Sequence, residues 1–321
     1  MSVRPTTIYC LGEALAVVTA KDRHSLSLAE SFEISTGGAE CNVASHLAAF
    51  GETATMLTRL GDDPMGQRIL TELTERGVMT NRIEMVAGAR TGLYLKESDD
   101  VRGSRMFYYR DGSAASLMSL YDAQVWKLES DAWFHTSGIT AALSTNCDKL
   151  VEVLLRRPVE PGGGSSFDVN FRPSLWVGRD ASTRLLELAS LADVVFVGLD
   201  EAQALWNVEK CEDIAELMPH VGHLVVKDGS REAIEFERTR DGATQVWRVD
   251  ALRVEVVEPI GAGDAFAAGY LSQYFSGAAP FARLSFGHEV AAHTLGTNHD
   301  FLPMIPGDRR VKIESHSRTN D

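Results

Sequence analysis

Between residues 53 and 227 short apolar runs alternate with amphipathic stretches, and this alternation restricts the fold more than any other feature of the chain. Residues 53–60 read as a strand, 65–76 as a helix closed by Gly77, 132–137 as a strand and 144–155 as a helix. Strands at 166–170, 194–197 and 223–227 follow, with helices at 183–189 and 215–218 between them. Parallel strands need a crossover, and helical crossovers cover the sheet, so the pattern predicts an α/β fold with a mostly parallel sheet.

The flanking segments complete the expectation. Residues 7–18 read as a buried strand broken by Gly12 and then a return strand, and 40–50 as a helix that begins after Gly37-Gly38 and stops at Gly51. Residues 92–97 and 105–110 form a pair of strands around Asp99-Asp100, and 233–256 a short β section. Helices are expected at 264–275 and 282–295, and a polar, basic, disordered tail from 307 to 321. Gly61-Asp62-Asp63-Pro64-Met65-Gly66-Gln67-Arg68 has P-loop glycine spacing but lacks the Lys and Ser/Thr of a phosphate loop, so it reads as a turn and helix cap.

Charge narrows the ligand classes. With 31 Lys and Arg against 45 Asp and Glu, the net charge of −14 repels nucleic acid and anionic membrane surfaces, so neither is an expected partner. An anionic small molecule must then be held by a few locally placed cations. Cys10, Cys41, Cys147 and Cys211 lie far apart, without metal-ligand spacing, and fit a reducing compartment; no signal peptide or membrane span is evident, which makes a cytoplasmic protein the expectation.

The chemistry concentrates at Gly261-Ala262-Gly263-Asp264. A Val-rich strand ends there and a helix of small residues begins, so glycines turn the backbone while unpaired N–H groups point outward. That arrangement suits the β- and γ-phosphates of a nucleotide. An Asp at the head of the same helix can take a proton from a hydroxyl aligned with the γ-phosphate. Alone, a Gly-x-Gly is more often only a tight turn.

Three segments in order change that balance. Gly37-Gly38-Ala39-Glu40-Cys41-Asn42-Val43-Ala44, Asp168-Val169-Asn170-Phe171-Arg172 and Gly261 to Asp264 together make the chain resemble the ribokinase-like, or PfkB, carbohydrate kinases from Gly12 to about Gly296. The resemblance implies a doubly wound α/β kinase domain over residues 1–306, with a small β-sheet lid from segments at about 13–36 and 89–112. It implies ATP and Mg2+ as cofactors and Asp264 as catalytic base, with the amides of Gly261, Ala262 and Gly263 as an anion hole. Asn170 at the central strand end, and Lys227 and Gly229 in Val226-Lys227-Asp228-Gly229, match segments that flank the nucleotide. His288 falls where an adenine-pocket Asn is common. Lids of this family often pair, so a homo-oligomer through the lid would be unsurprising.

Within the family the chain most resembles the 2-keto-3-deoxygluconate kinases. Tyr108-Tyr109-Arg110 with Ser113-Ala114, Thr91-Gly92-Leu93-Tyr94 and Ser137-Gly138-Ile139-Thr140 carry that likeness, and Gly12-Glu13-Ala14-Leu15 lacks the following Asp usual in kinases of neutral sugars. A sugar acid calls for a guanidinium rather than a further carboxylate. The expected sugar pocket is Gly38, Asn42, Tyr94, Tyr108, Arg110, Ile139, Arg172 and Asp264. Arg172 is assigned either to the carboxylate or to the γ-phosphate. Strand alternation pairs Tyr108 with Arg110 and leaves Tyr109 for the core. His135, His288 and His293 read as packing or surface groups rather than bases.

The chain departs from the family at three positions. Gly198 replaces the Asn usual three residues before Glu201, leaving Glu201 to reach a metal through water. Glu258-Pro259-Ile260 replaces Asp-Thr-Thr, which leaves a monovalent-cation site open, and His288 leaves the choice of nucleotide open. The leading expectation is phosphorylation of 2-keto-3-deoxygluconate at its C6 hydroxyl. The alternatives are its galactonate epimer, a neutral ketose such as fructose, or a non-catalytic sugar-acid-binding regulator.

Overall fold

A computed structural model describes residues 4–21, 25–97, 105–239, 241–297 and 301. The chain begins with β1 (Ile8–Leu11), β2 (Leu15–Ala20), β3 (Phe32–Gly37), α1 (Ala39–Ala49), β4 (Ala54–Gly61), α2 (Pro64–Glu75), β5 (Ile83–Val86), β6 (Leu93–Glu97) and β7 (Arg105–Tyr109). It continues through α3 (Leu120–Trp126), β8 (Trp133–Ser137), α4 (Gly138–Ala142), α5 (Thr145–Leu155), β9 (Gly164–Asp168), α6 (Ala181–Ala189), β10 (Val194–Gly198) and α7 (Leu199–Trp206). The last elements are α8 (Cys211–Leu217), β11 (His223–Asp228), β12 (Glu232–Arg238), β13 (Thr244–Asp250), α9 (Ala262–Phe275) and α10 (Pro280–Leu295).

Nine strands form one sheet in the order β13-β12-β11-β10-β9-β8-β1-β4-β5. It is parallel from β11 through β5, and β12 and β13 extend it antiparallel. Both faces are buried, as a parallel sheet between helices requires: along β10, Val195 and Val197 pack into one core with α5 and α6, while Val194 and Phe196 pack into the other with α1, α9 and α10. The chain leaves β1 toward opposite sides of the sheet, to β4 and to β8. Such a reversal of strand order opens a crevice at the carboxyl ends of the strands.

A second sheet of four strands, β3-β2-β6-β7, is separate from the first. The strand expected after Gly12 lies in this smaller sheet, where β2 runs antiparallel to β3 and parallel to β6. Tyr109 differs from expectation. It is 63% exposed at the end of the edge strand β7, all five residues of which are exposed. The Asp99-Asp100 turn and the 307–321 tail lie outside the described residues.

Local chemistry sets the helix starts. The Asp63 carboxylate caps α2 by accepting from the Gly66 amide at 2.8 Å, with Pro64 in the first turn, so the glycine-spaced segment at 61–68 is a cap. Helix α9 shows no apolar stripe because it is buried on nearly all sides, from Ala265 to Ser272. Helix α7, absent from the sequence reading, is too short to display a clear period and carries Glu201. All four cysteines are buried and free, and among the described residues no helix is long and apolar enough to cross a membrane.

Candidate active site

A cavity of about 290 Å³ lies where the carboxyl ends of the parallel strands, the small sheet and the start of α9 meet. Its lining brings together residues far apart in sequence: Gly38 and Asn42 around the start of α1, Tyr94, Met106, Tyr108 and Arg110 in and after the small sheet, and Ile139 after β8. Asp168, Asn170, Arg172, Glu201 and Lys227 approach from the strand ends, and Gly261, Gly263 and Asp264 from α9.

Gly261 sets the direction of α9. It holds φ +80°, a left-handed conformation that suits glycine, and supplies no side chain to cap the helix. The first-turn amides, including those of Ala262 and Gly263, have no intrahelical acceptor and form the positive end of the helix dipole at the cavity. Gly38, at φ +121°, lets the backbone before α1 press against the carbonyl of Glu13; a Cβ there would stand 2.2 Å from that oxygen.

Asp264 stands in the first turn of α9, and its Oδ2 accepts from Asn42 Nδ2 at 2.9 Å. Burial pushes its carboxyl up to about 7, and the nearby Asp168 carboxylate adds to this. The Asn42 hydrogen bond and the charges of Lys227 and Arg172 act in the opposite sense. The group therefore changes charge near neutral pH at the positive end of the α9 dipole, which suits proton acceptance.

Around it lies a set of paired charges. Lys227 Nζ donates to Asp168 Oδ2 at 2.8 Å; burial opposes the lysine's charge, but the carboxylates of Asp168, Glu201 and Asp264 together raise its pKa. Glu201 is raised by burial and by Asp168, while its Oε2 accepts from the Gly198 amide at 3.0 Å and its Oε1 lies 3.4 Å from Arg172 Nη1. Asp168 Oδ1 and Asn170 Oδ1 are buried without a hydrogen-bond partner, and Asn170 itself sits at φ +39°, uncommon for a residue with a Cβ. Orphaned oxygens of this kind beside Glu201 fit a hydrated Mg2+, which takes one or two carboxylates and completes its shell with water and phosphate.

The sugar-pocket candidates gather as expected, with one addition. Tyr94 and Tyr108 are cross-strand neighbours with ring centroids 5.3 Å apart, and the Arg110 guanidinium lies 5.6 Å from the Tyr108 ring centroid. Arg110, however, is not an unopposed cation: it forms a buried ion pair with Glu13, which also lines the cavity. The sequence pattern, which lacks an Asp after Gly12, gives Glu13 no role in the pocket. Glu13 was itself the missed signal, since the break of β1 at Gly12 sends the next side chain toward the small sheet. Gly229 and His288 are not among the cavity residues. His288 Nε2 donates to the Val249 carbonyl, 3.1 Å away, and its ring stands edge-on to Phe266 at 5.1 Å, which places it between α9 and the β13 edge.

Similarity to known proteins agrees with this geometry. The family model described as pfkB family carbohydrate kinase matches residues 5–300. The 2-dehydro-3-deoxygluconokinase of Thermoproteus tenax is 31% identical over 300 residues, covering 92% of this chain and 90% of that protein. Fructokinase-1 of Oryza sativa subsp. japonica is also 31% identical, over 253 residues, covering 77% and 76%. The crystal structure of a PfkB protein from Polaromonas sp. JS666 matches with a TM-score of 0.79 at 29% identity, covering 90% of this chain and 95% of that one. A doubly wound sheet with a smaller separate sheet, and a family match over nearly the whole described chain, make this protein a member of the pfkB family of carbohydrate kinases.

Proposed function

We propose that this kinase transfers the γ-phosphoryl group of ATP to the C6 hydroxyl of 2-keto-3-deoxygluconate, also written 2-dehydro-3-deoxygluconate. The observation that carries the reading is one cavity holding Asp264 at the head of α9 on one side and Tyr94, Tyr108 and Arg110 on the other. Asp264 accepts the hydroxyl proton as the oxygen attacks phosphorus in line. The amides of Gly261, Ala262 and Gly263 are fixed dipoles for the charge that grows on the transferring group, and fixed dipoles in a secluded site need no reorganisation during reaction. Magnesium near Asp168 and Glu201 would offset phosphate charge.

The sugar end follows from hydrogen-bonding capacity. Arg110 keeps donors beyond the one engaged by Glu13, and its buried Nε has no hydrogen-bond partner among the described residues, which supports a substrate carboxylate there. Tyr94 and Tyr108 offer hydroxyls to the keto and hydroxyl oxygens, Asn42 and Ile139 bound the pocket near Gly38, and Arg172 extends from the strand ends toward sugar or phosphate. Lys227 and Asn170 are assigned to the nucleotide side.

The Glu13 carboxylate beside Arg110 favours a second reading, in which a neutral ketose such as fructose donates its hydroxyls to Glu13. Coupled ADP release with magnesium and ATP, comparing 2-keto-3-deoxygluconate, its galactonate epimer, fructose and ribose, separates the two. Preference for either sugar acid supports the Arg110 reading and orders the epimers. Preference for fructose or ribose replaces it with the neutral-sugar reading.

A further inference from the structure

Outside the sugar contacts, one buried ion pair joins the small sheet to the start of α9. Lys96 on β6 and Glu258, three residues before Gly261, stand 3.6 Å apart, and each side chain is only 2% exposed. Lys96 points to the same side of β6 as Tyr94, which lines the cavity, and it faces Met106 of β7 in register. Glu258 Oε1 lies 3.3 Å from the Ile260 amide and accepts from it, while the Glu258 amide donates to the Leu295 carbonyl at 3.2 Å. The carboxylate thus shapes the turn that delivers Gly261, and the Lys96 ammonium that pairs with it comes from the other sheet.

Two ions removed from water are tolerated together and poorly apart. We propose that Lys96 is a positioning residue: by meeting Glu258 it couples closure of the small sheet over the sugar to the setting of the Gly261–Gly263 amides. The proposal rests on those amides facing the transferring phosphoryl group but not on which sugar is bound. Binding and chemistry are then linked, because the turn reaches its reactive setting only when Lys96 is seated. An open site would hold ATP with its anion-binding turn held less firmly, which disfavours transfer to water.

The test is a double-mutant cycle on Lys96→Met and Glu258→Gln, using whichever of 2-keto-3-deoxygluconate or fructose is turned over. Failure of the sugar assignment changes only which sugar is used, so the two failures remain distinct. Each single variant is expected to lower kcat roughly ten- to hundredfold, and the double variant by no more than the worse single, a coupling of about tenfold or more. Lys96→Arg, which keeps the charge, is expected to recover kcat to within about threefold of the parent while the KM for ATP stays nearly constant. Effects that multiply independently, or a Lys96→Met enzyme within about twofold of the parent kcat, overturn the proposal. Should Lys96→Met fail to fold, hydrogen exchange on the unmodified protein decides. With AMP-PNP, magnesium and the sugar, amides of residues 93–97 and 257–261 become protected over the same ligand range; protection of one segment without the other overturns it.

Discussion

Asn42 Nδ2 donates to Asp264 Oδ2 at 2.9 Å, linking the first turns of α1 and α9 across 222 residues of sequence. The bond stabilises the ionised carboxylate against a burial that raises its pKa to about 7. Asn42→Leu removes that support, so the acid limb of kcat/KM moves to higher pH, with the greatest loss of rate below neutrality. A pH–rate profile checks this; an unmoved acid limb contradicts it.

Asp264→Asn tests the base directly. Loss of a positioned general base lowers kcat by roughly 10²–10⁴-fold and leaves sugar binding nearly intact. The same variant has a stability signature. A carboxyl raised in the folded state favours the protonated protein, so its contribution to stability is present at pH below the ordinary Asp range and is lost as pH rises toward and through about 7. Thermal melting between pH 4 and 8 should therefore show a decline with pH that is shallower in Asp264→Asn.

The Glu13–Arg110 pair is where the proposed reading separates acid from neutral sugars. If Arg110 holds a substrate carboxylate, Arg110→Met raises the KM for the sugar acid by roughly 10- to 100-fold, the scale of one charged hydrogen bond, and changes that for fructose far less. Glu13→Gln removes the competing anion, so affinity for the acid rises while folding stability falls, because a buried guanidinium loses its counter-charge. Steady-state kinetics on both sugars and a thermal melt read the two effects separately.

Gly38→Ala should cost several kcal/mol, because a Cβ at φ +121° also meets the Glu13 carbonyl at 2.2 Å. Chemical denaturation measures the loss. A change within about 0.5 kcal/mol, the usual range for a surface substitution, would mean that the backbone around Glu13 and Gly38 gives way easily.

Sequence alone carried the features whose causes are local. The period of the apolar residues announced the α/β sheet, since a strand or helix reports its buried face every two or 3.6 residues. Asp63-Pro64 announced a helix cap, and Gly261 to Asp264 a glycine turn into a helix start, because caps and left-handed turns depend on neighbours within a few positions. Family motifs added that Asp264 shares one cavity with Gly38, Tyr94, Tyr108 and Arg110. Contacts without local cause were decided by the tertiary structure. Glu13 meets Arg110 and Lys96 meets Glu258 because β2 leaves the main sheet and β6 joins it in the small one. Tyr109 is exposed because β7 is an edge strand of the small sheet, and His288 is turned to the Val249 carbonyl by the packing of α10 on β13. A single sequence records each residue's chemistry, but the charge that opposes it is chosen by chain crossings 90 or more residues away, and those crossings arise only when both cores are packed.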